Sequence, residues 1–517
     1  MLITCVNVAN LMLVRATARQ RETSLRFALG ASRGRVVRQL LVESLVLSLA
    51  GCAAGVVCGR IAIDFLTLAA PRDIPRIDSI VMDWRVLLTS AAIAVLSGVV
   101  FGVLPAWQGS RVRPAQSLAG SGRVTGEGSH ARWRAALTVG ELSISFVLLV
   151  AAGLLLKSFI TVIGVDLGFH TRNVLAANVT LPELRYRTAV QRLQFFEELE
   201  RRIAQLPGVE SVAFANRMPM RGGWGSGVQV EGGDGRTHEA DFQAVSPGYF
   251  RTVGMALLRG RALTAADRDG GALVAVVNTE FARRFLGGAD PLGRRVRRGG
   301  APWLTIVGLV NDIRRQGKTA QITPQVYLSA AQTALYPVRL SDLAVRASVE
   351  PRPLLPSIQS AVWSIDKDQP VTNVRTLDEI VDLSVRQRRF QTLLLIAFAG
   401  VALALSLVGI FGVLAYAVSQ RTPEFGIRLA LGAPSRRVLA LVLRQAVVLI
   451  AAGLAVGVLG AWSLTRYLQS LLFEVRSHDL ATYALTAVLL LVASLVASAI
   501  PARRAARVDP LTALRYE

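Results

Sequence analysis

The stretch Gly153-Leu-Leu-Leu-Lys157-Ser158 is the part of this chain closest to a nucleotide site, since a lysine and a hydroxyl after a glycine-rich turn can hold phosphates. Leu156 stands where that pattern needs a glycine, so the segment is read as a decoy at the end of an apolar helix. Gly222 to Gly227 is glycine-rich but lacks a strand-to-helix frame, and no serine sits in a G-x-S-x-G elbow. His130, His170, His238 and His478 have no carboxylate or cysteine companions at ligand spacing. Cys5, Cys52 and Cys58 suggest neither a disulfide nor a metal site. The expectation is a non-enzyme with no cofactor.

The remaining chemistry is charge. Arg19, Glu22 and Arg26 are followed by Ala28-Leu-Gly30-Ala31, and the same pattern returns as Arg421, Glu424, Arg428 and Ala430-Leu-Gly432-Ala433. On a helix, residues three or four apart share a face, so each set forms a charged ridge. Such a ridge can meet a partner protein or lie solvated against lipid phosphates.

These ridges belong to a larger duplication. The offset of 402 persists to Gly51 and Gly55 against Gly453 and Gly457, then falls to 396 for Pro105, Arg111, Pro114 and Leu118 against Pro501, Arg507, Pro510 and Leu514. Each copy is therefore one structural unit.

Hydropathy says where the units sit. The 517 residues are 52% apolar with a mean hydropathy of +0.44. Stretches 86–107, 392–418 and 481–500 carry no charge, and 40–65, 135–156 and 438–465 carry few. Each is long enough to cross a hydrocarbon core of ~30 Å. Arg60 and Asp64 are expected to pair, and Glu141 to snorkel toward the interface. Met1 to Val14 is too short to span, but it aligns with 403–416. It is read as half of a spanning helix, as in a truncated product or a misplaced start. The motifs Gly51-x3-Gly55, Gly98-x3-Gly102 and Gly453-x3-Gly457 are expected to allow close helix packing.

Arginines concentrate in 15–38, 109–134, 419–437 and 501–517, which the positive-inside rule makes cytoplasmic. Alternation then places 161–388 outside. The net charge of +23 does not imply nucleic-acid binding: 55 of the 58 basic residues are arginine, many at helix ends where topology accounts for them. Lipid is the expected contact. The expected organisation is a partial helix at 1–15, a coupling segment at 16–38, a helix pair at 39–108, a linker at 109–133 and a helix at 134–160. After the outer domain at 161–388 come a helix at 389–418, a second coupling segment at 419–437, a second pair at 438–500 and a tail at 501–517.

The outer segment reads as α/β. Strands are expected at 174–179, 209–215, 343–347 and 371–374, with an amphipathic helix at about 186–206 carrying Val190, Leu193, Phe196, Leu199 and Ile203, and a second helix at about 354–365. Two βαβ units around an insertion at about 216–340, with short strands at 274–277 and 304–310, suggest a split ferredoxin-like domain with a β-rich subdomain.

Val245-Ser-Pro-Gly-Tyr-Phe250, Leu258-Arg-Gly-Arg261, Asp290-Pro-Leu-Gly293, Ile306-Val-Gly-Leu-Val-Asn-Asp312 and Val326-Tyr-Leu328 resemble the periplasmic core domain of MacB-type ABC transporter permeases. The membrane part resembles the FtsX-like permease domain. With Gln369-Pro370 and Val408-Gly-Ile-Phe-Gly412, the whole is most similar to the acidobacterial duplicated orphan permeases, without their first helix and first periplasmic domain. The resemblance implies an α-helical, duplicated FtsX-like bundle in the inner membrane. It also implies a separate MacB-like ATPase subunit whose motion reaches the periplasm by mechanotransmission, for export or envelope remodelling. In that scheme Arg19, Glu22, Arg26 and Gly30, with Arg421, Glu424, Arg428 and Gly432, would meet the ATPase. A second permease copy is a possible further partner. The alternative is a non-transporting transmembrane regulator or scaffold; a secondary transporter fits less well, because midplane binding groups and broken helices are lacking.

Overall fold

The computed structural model describes residues 32–69, 82–109, 127–232, 236–333 and 339–507. Two compact units emerge, one formed by Thr161–Gln387 and the other by the chain on either side of it. Among the described residues, the helical unit opens with α1 (Arg33–Ala69), α2 (Trp84–Gly109) and α3 (Glu127–Ile163).

The outer unit opens with β1 (Val174–Val179), α4 (Ala189–Ala204) and β2 (Val209–Ala215). Thr188 starts α4 through a capping box with Gln191. The insertion follows as β3 (Gly225–Val230), β4 (His238–Val245), α5 (Tyr249–Val253), β5 (Leu257–Gly260), β6 (Val274–Asn278), α6 (Thr279–Leu286), β7 (Arg295–Arg298), β8 (Leu304–Val310) and β9 (Gln325–Ser329). The first motif then resumes as β10 (Asp342–Ala347), α7 (Leu355–Ile365) and β11 (Val371–Thr376).

Strands β11, β1, β10 and β2 lie side by side in that order, all antiparallel. This is the ferredoxin-like arrangement, with the insertion taking the place of the central hairpin. Its helices cover an apolar face built on Phe196, Leu199, Ile203, Val345, Ile358 and Val362. The stripe of α4 differs from expectation in one respect: Val190 is exposed and Phe195 is buried. Phe195 packs edge-on against both Tyr186 and Phe196, which pulls the buried face round the helix.

The insertion closes on itself. Strand β4 pairs with β3, β3 with β7, β7 with β8, β8 with β6, β6 with β9, and β9 in parallel with β4 again. Closure leaves these six strands no free edge, and Val228, Phe242, Val277, Phe281, Ile306 and Val326 fill the interior.

The helical unit resumes with α8 (Leu377–Gln420), α9 (Thr422–Ala430), α10 (Ser435–Thr465) and α11 (Leu480–Ala505). Among the described residues, five spans are long and apolar enough to cross a membrane, within α1, α3, α8, α10 and α11; α2 adds the shorter apolar stretch Trp84–Val99. The repeat offsets coincide with helix bounds. Adding 402 to the start of α1 gives the start of α10, and adding 396 to either end of α2 gives that end of α11. The six-residue difference therefore falls between the helices of each hairpin.

Candidate functional site

The second charged ridge is a separate short helix. Arg421 joins α8 to α9, and Pro423 sits in the first turn, where a missing backbone N–H costs nothing. Glu424 in the first turn and Arg428 in the last complement the helix dipole. They pair at 2.5 Å, both about half exposed, an arrangement that contributes only ~0.3–0.5 kcal/mol. Phe425 anchors the opposite face, 1% exposed, in the cluster that includes Val438 and Val442. Gly432 ends the segment at φ +87°, a conformation that favours glycine, and its N–H donates to the Leu429 carbonyl at 3.0 Å.

The structure adds two residues that the charge pattern did not single out. Ile427 and Leu431 are 48% and 82% exposed, one turn apart beside Glu424 and Arg428. Together they form a short apolar pair framed by charges on the exposed side of this segment. The repeat offset was the available signal, because Leu25 and Leu29 occupy the same places in the first copy. Arg19, Glu22, Arg26 and Gly30 themselves lie outside the described residues.

The packing glycines divide. A Cβ built on Gly453 would fall 2.7 Å from Leu142 Cβ, and one on Gly457 3.0 Å from Phe146 Cβ. Ser143 Oγ donates to the Gly453 carbonyl at 2.9 Å, so α3 and α10 meet closely enough for a side-chain to backbone bond. Gly98 is similarly tight against Ser48 and Leu45 of α1. At Gly51 and Gly55, by contrast, a Cβ would meet nothing within 4 Å among the described residues. The packing of Gly102 is outside the described residues.

Glu141 corrects an expectation. It is fully buried rather than snorkelling, because α3 is enclosed by other helices of its unit. Ser145 Oγ lies 2.5 Å from Ser406 Oγ and donates to the Ala402 carbonyl at 3.0 Å, while Ser406 donates to the Glu141 carbonyl at 3.3 Å. About two turns before Glu141 in α3, the Arg134 guanidinium lies 4.3 Å above the Tyr416 ring. Polar groups thus join α3 to α8 across its inner half. The apparent phosphate loop also has a structural role: Gly153 packs on Thr482, Lys157 pairs with Asp479 at 2.8 Å, and Ser158 Oγ accepts from the Phe473 N–H at 2.9 Å. Arg60 and Asp64 pair at 3.3 Å on an exposed face.

In the outer unit, Asp366 locks the end of α7 to the segment before α4. It accepts from Tyr186 Oη and Arg185 Nη1, each at 2.8 Å, and from Gln369 Nε2 at 3.0 Å. Burial alone would raise its pKa, but the bonds from Tyr186 and Gln369 outweigh this and hold the carboxyl below its usual range. A second cluster closes the neck of the insertion. Asp342 Oδ2 accepts from the Met218 N–H at 2.7 Å, and Arg221 donates to Asn178 Oδ1 and the Asn373 carbonyl at 2.7 and 2.8 Å. Among the described residues, no group of three or more His, Cys, Asp or Glu is placed to hold a metal ion.

Two matching helix hairpins, joined by helices that bracket an α/β outer domain and carrying a charged helix at one end, define a duplicated permease-type membrane protein. The FtsX-like permease C-terminal family matches residues 1–114 and 396–510, and the MacB-like periplasmic core domain matches 135–354. The chain belongs to the MacB/FtsX type of ABC transporter permease, a multi-pass inner-membrane protein with its MacB-like domain in the periplasm. It is 30% identical over 293 residues to a macrolide export ATP-binding/permease protein, MacB 2, of Aeromonas hydrophila, covering 54% of this chain and 44% of that protein. Over 113 residues it is 36% identical to the uncharacterized ABC transporter permease YknZ of Bacillus subtilis, covering 22% and 27% respectively. The chain therefore spans less than half the length of these curated relatives. The solved periplasmic region of MacB from Actinobacillus actinomycetemcomitans aligns with 43% of this chain and 95% of its own, at 16% identity and a TM-score of 0.31.

Proposed function

We propose that this chain is the permease subunit of an ABC-type system in which a separate ATPase binds the charged helices and its closure is passed to the periplasmic domain. The observation that carries the reading is α8. It runs for 44 residues without interruption, starting directly after β11 and ending one residue before α9. Leu377, Ile380 and Val381 at its start are buried in the core of the outer unit, while Ile410, Leu414 and Val418 near its end are buried in the core of the helical unit. A helix rises 1.5 Å per residue, so α8 is a single element of ~66 Å that begins in the outer unit and ends beside the charged helix α9. No water-lined path or midplane charge is needed for such work, in keeping with export or envelope remodelling powered by displacement. The Aeromonas relative is named for ATP-binding and permease functions together, whereas YknZ is named as a permease; here the ATPase would be a separate polypeptide, met through Glu424, Arg428 and their counterparts Glu22 and Arg26.

Affinity purification of the tagged full chain from native membranes tests this. An ABC ATPase should co-purify, and Glu22→Arg with Glu424→Arg should lower its recovery roughly tenfold, a loss of ~1.4 kcal/mol. Recovery of a wall hydrolase with no ATPase would instead support the regulatory reading.

A further inference from the structure

The largest fully buried side chain among the described residues is a charged one, Arg315, in the loop between β8 and β9. It is 2% exposed, and its Nε and Nη2 have no hydrogen-bond partner among the described residues. Burial raises the pKa of the Tyr249 and Tyr327 hydroxyls, and the Arg315 charge draws both back, which places the guanidinium near this pair of buried rings. The acids that also act on the two tyrosines are held by other donors. Asp241 Oδ2 accepts from Thr323 Oγ1 at 2.6 Å, Asp312 Oδ1 from the Glu280 N–H at 2.7 Å, and Asp342 Oδ2 from the Met218 N–H at 2.7 Å.

A buried guanidinium is costly unless an anion meets it, and water can satisfy its N–H groups without balancing its charge. The two unmatched atoms also belong together. Nε and Nη2 lie on one edge of the planar guanidinium with their N–H bonds pointing the same way, the fork that takes both oxygens of a carboxylate. We propose that this edge of Arg315 is the floor of an internal binding site for one small carboxylate anion of formate or acetate size. Larger ligands are excluded, because Arg315, Tyr249 and Tyr327 are all buried. The loop that carries the site is fixed from two sides: the Met220 N–H donates to the Arg315 carbonyl at 2.7 Å, and the Arg314 N–H donates to the Leu167 carbonyl at 2.9 Å. The anion therefore sits where the start of the insertion, the loop after β8 and the segment leaving α3 are tied to one another.

The test uses the detergent-solubilised full chain, exchanged into sodium gluconate, with sodium formate as the probe at constant ionic strength. Equilibrium dialysis of radiolabelled formate should find one site per chain. The melting temperature should rise with formate, because a ligand held only by the folded state stabilises it. Arg315→Lys keeps the charge but not the fork, and should weaken binding roughly tenfold or more; Arg315→Met should abolish it. A parent chain that takes up no formate overturns the proposal. An equal rise in melting temperature in parent and Arg315→Met marks a general salt effect and overturns it too, as does a rise with sodium chloride as large as that with formate. Should Arg315→Met fail to fold, the parent's dialysis and the Arg315→Lys comparison still decide: equal formate affinity in parent and Arg315→Lys rules out the fork.

Discussion

Ile427 and Leu431 carry the most specific consequence at the scale of single residues. Ile427 is exposed on α9 and Leu431 directly after it, while Phe425 holds the helix down, so both can be changed without loosening the bundle. Replacing both with serine should leave the melting temperature of the detergent-solubilised chain nearly unchanged and weaken ATPase recovery by roughly tenfold. Charge reversal at Glu424 should act differently: its effect should shrink as salt rises, whereas the apolar pair's should not. A loss of folded protein in the double serine variant would contradict this division of labour. Glu200 makes a separate prediction. Burial, with the nearby Glu197 charge adding to it, pushes its pKa from 4.5 up to about 7. The folded state thus holds a proton that the unfolded chain has released. The contribution is fully present below pH ~4.5 and is lost as pH rises through ~7. Thermal melts across this window should show a decline that Glu200→Gln removes; an unchanged slope in the variant would assign the decline elsewhere.

For helices, what matters is which neighbour each face meets. Gly453→Leu should cost ~1–3 kcal/mol by forcing α3 away from α10, whereas the same change at Gly51 meets nothing among the described residues. Comparing the two variants by thermal melting of the full chain measures how far the repeats have diverged in environment while keeping their sequence. Continuity is the property of α8 that the proposed function needs. Four glycines inserted after Arg388 should preserve membrane insertion and ATPase binding but uncouple the periplasmic domain. A spin-label distance across that domain that changes on adding ATP in the parent should stay fixed in the insertion variant. If it still responds, force does not travel along α8.

For the whole molecule, the periplasmic domain joins a ferredoxin-like layer and a closed six-stranded ring in one sheet. Phe242 is fully buried inside the ring beside Trp224, and Phe242→Ala should destabilise it by ~3–5 kcal/mol. Tryptophan fluorescence in urea should show the early loss; coincident unfolding at the parent's midpoint would show that the ring interior contributes little.

Much of the architecture was legible because its signals are local. Hydropathy placed the spanning helices, period-2 and period-3.6 patterns placed the ferredoxin strands and helices, and a fixed offset identified the repeat whose helix bounds the structure then matched. Chain neighbours alone could not reveal what distant segments do to one another. The ring closes through the parallel pairing of Asp241 with Gln325, residues far apart in sequence and with no pattern linking them. Glu141 is buried, Phe195 displaces Val190 from the core of its domain, and Gly453 is filled while Gly51 meets nothing among the described residues, all because of what lies alongside. The sequence by itself determined which segments become helices and strands and that two of them are copies. Only the tertiary structure decided which copy's face is covered, since burial belongs to pairs of surfaces and a chain encodes its surfaces one at a time.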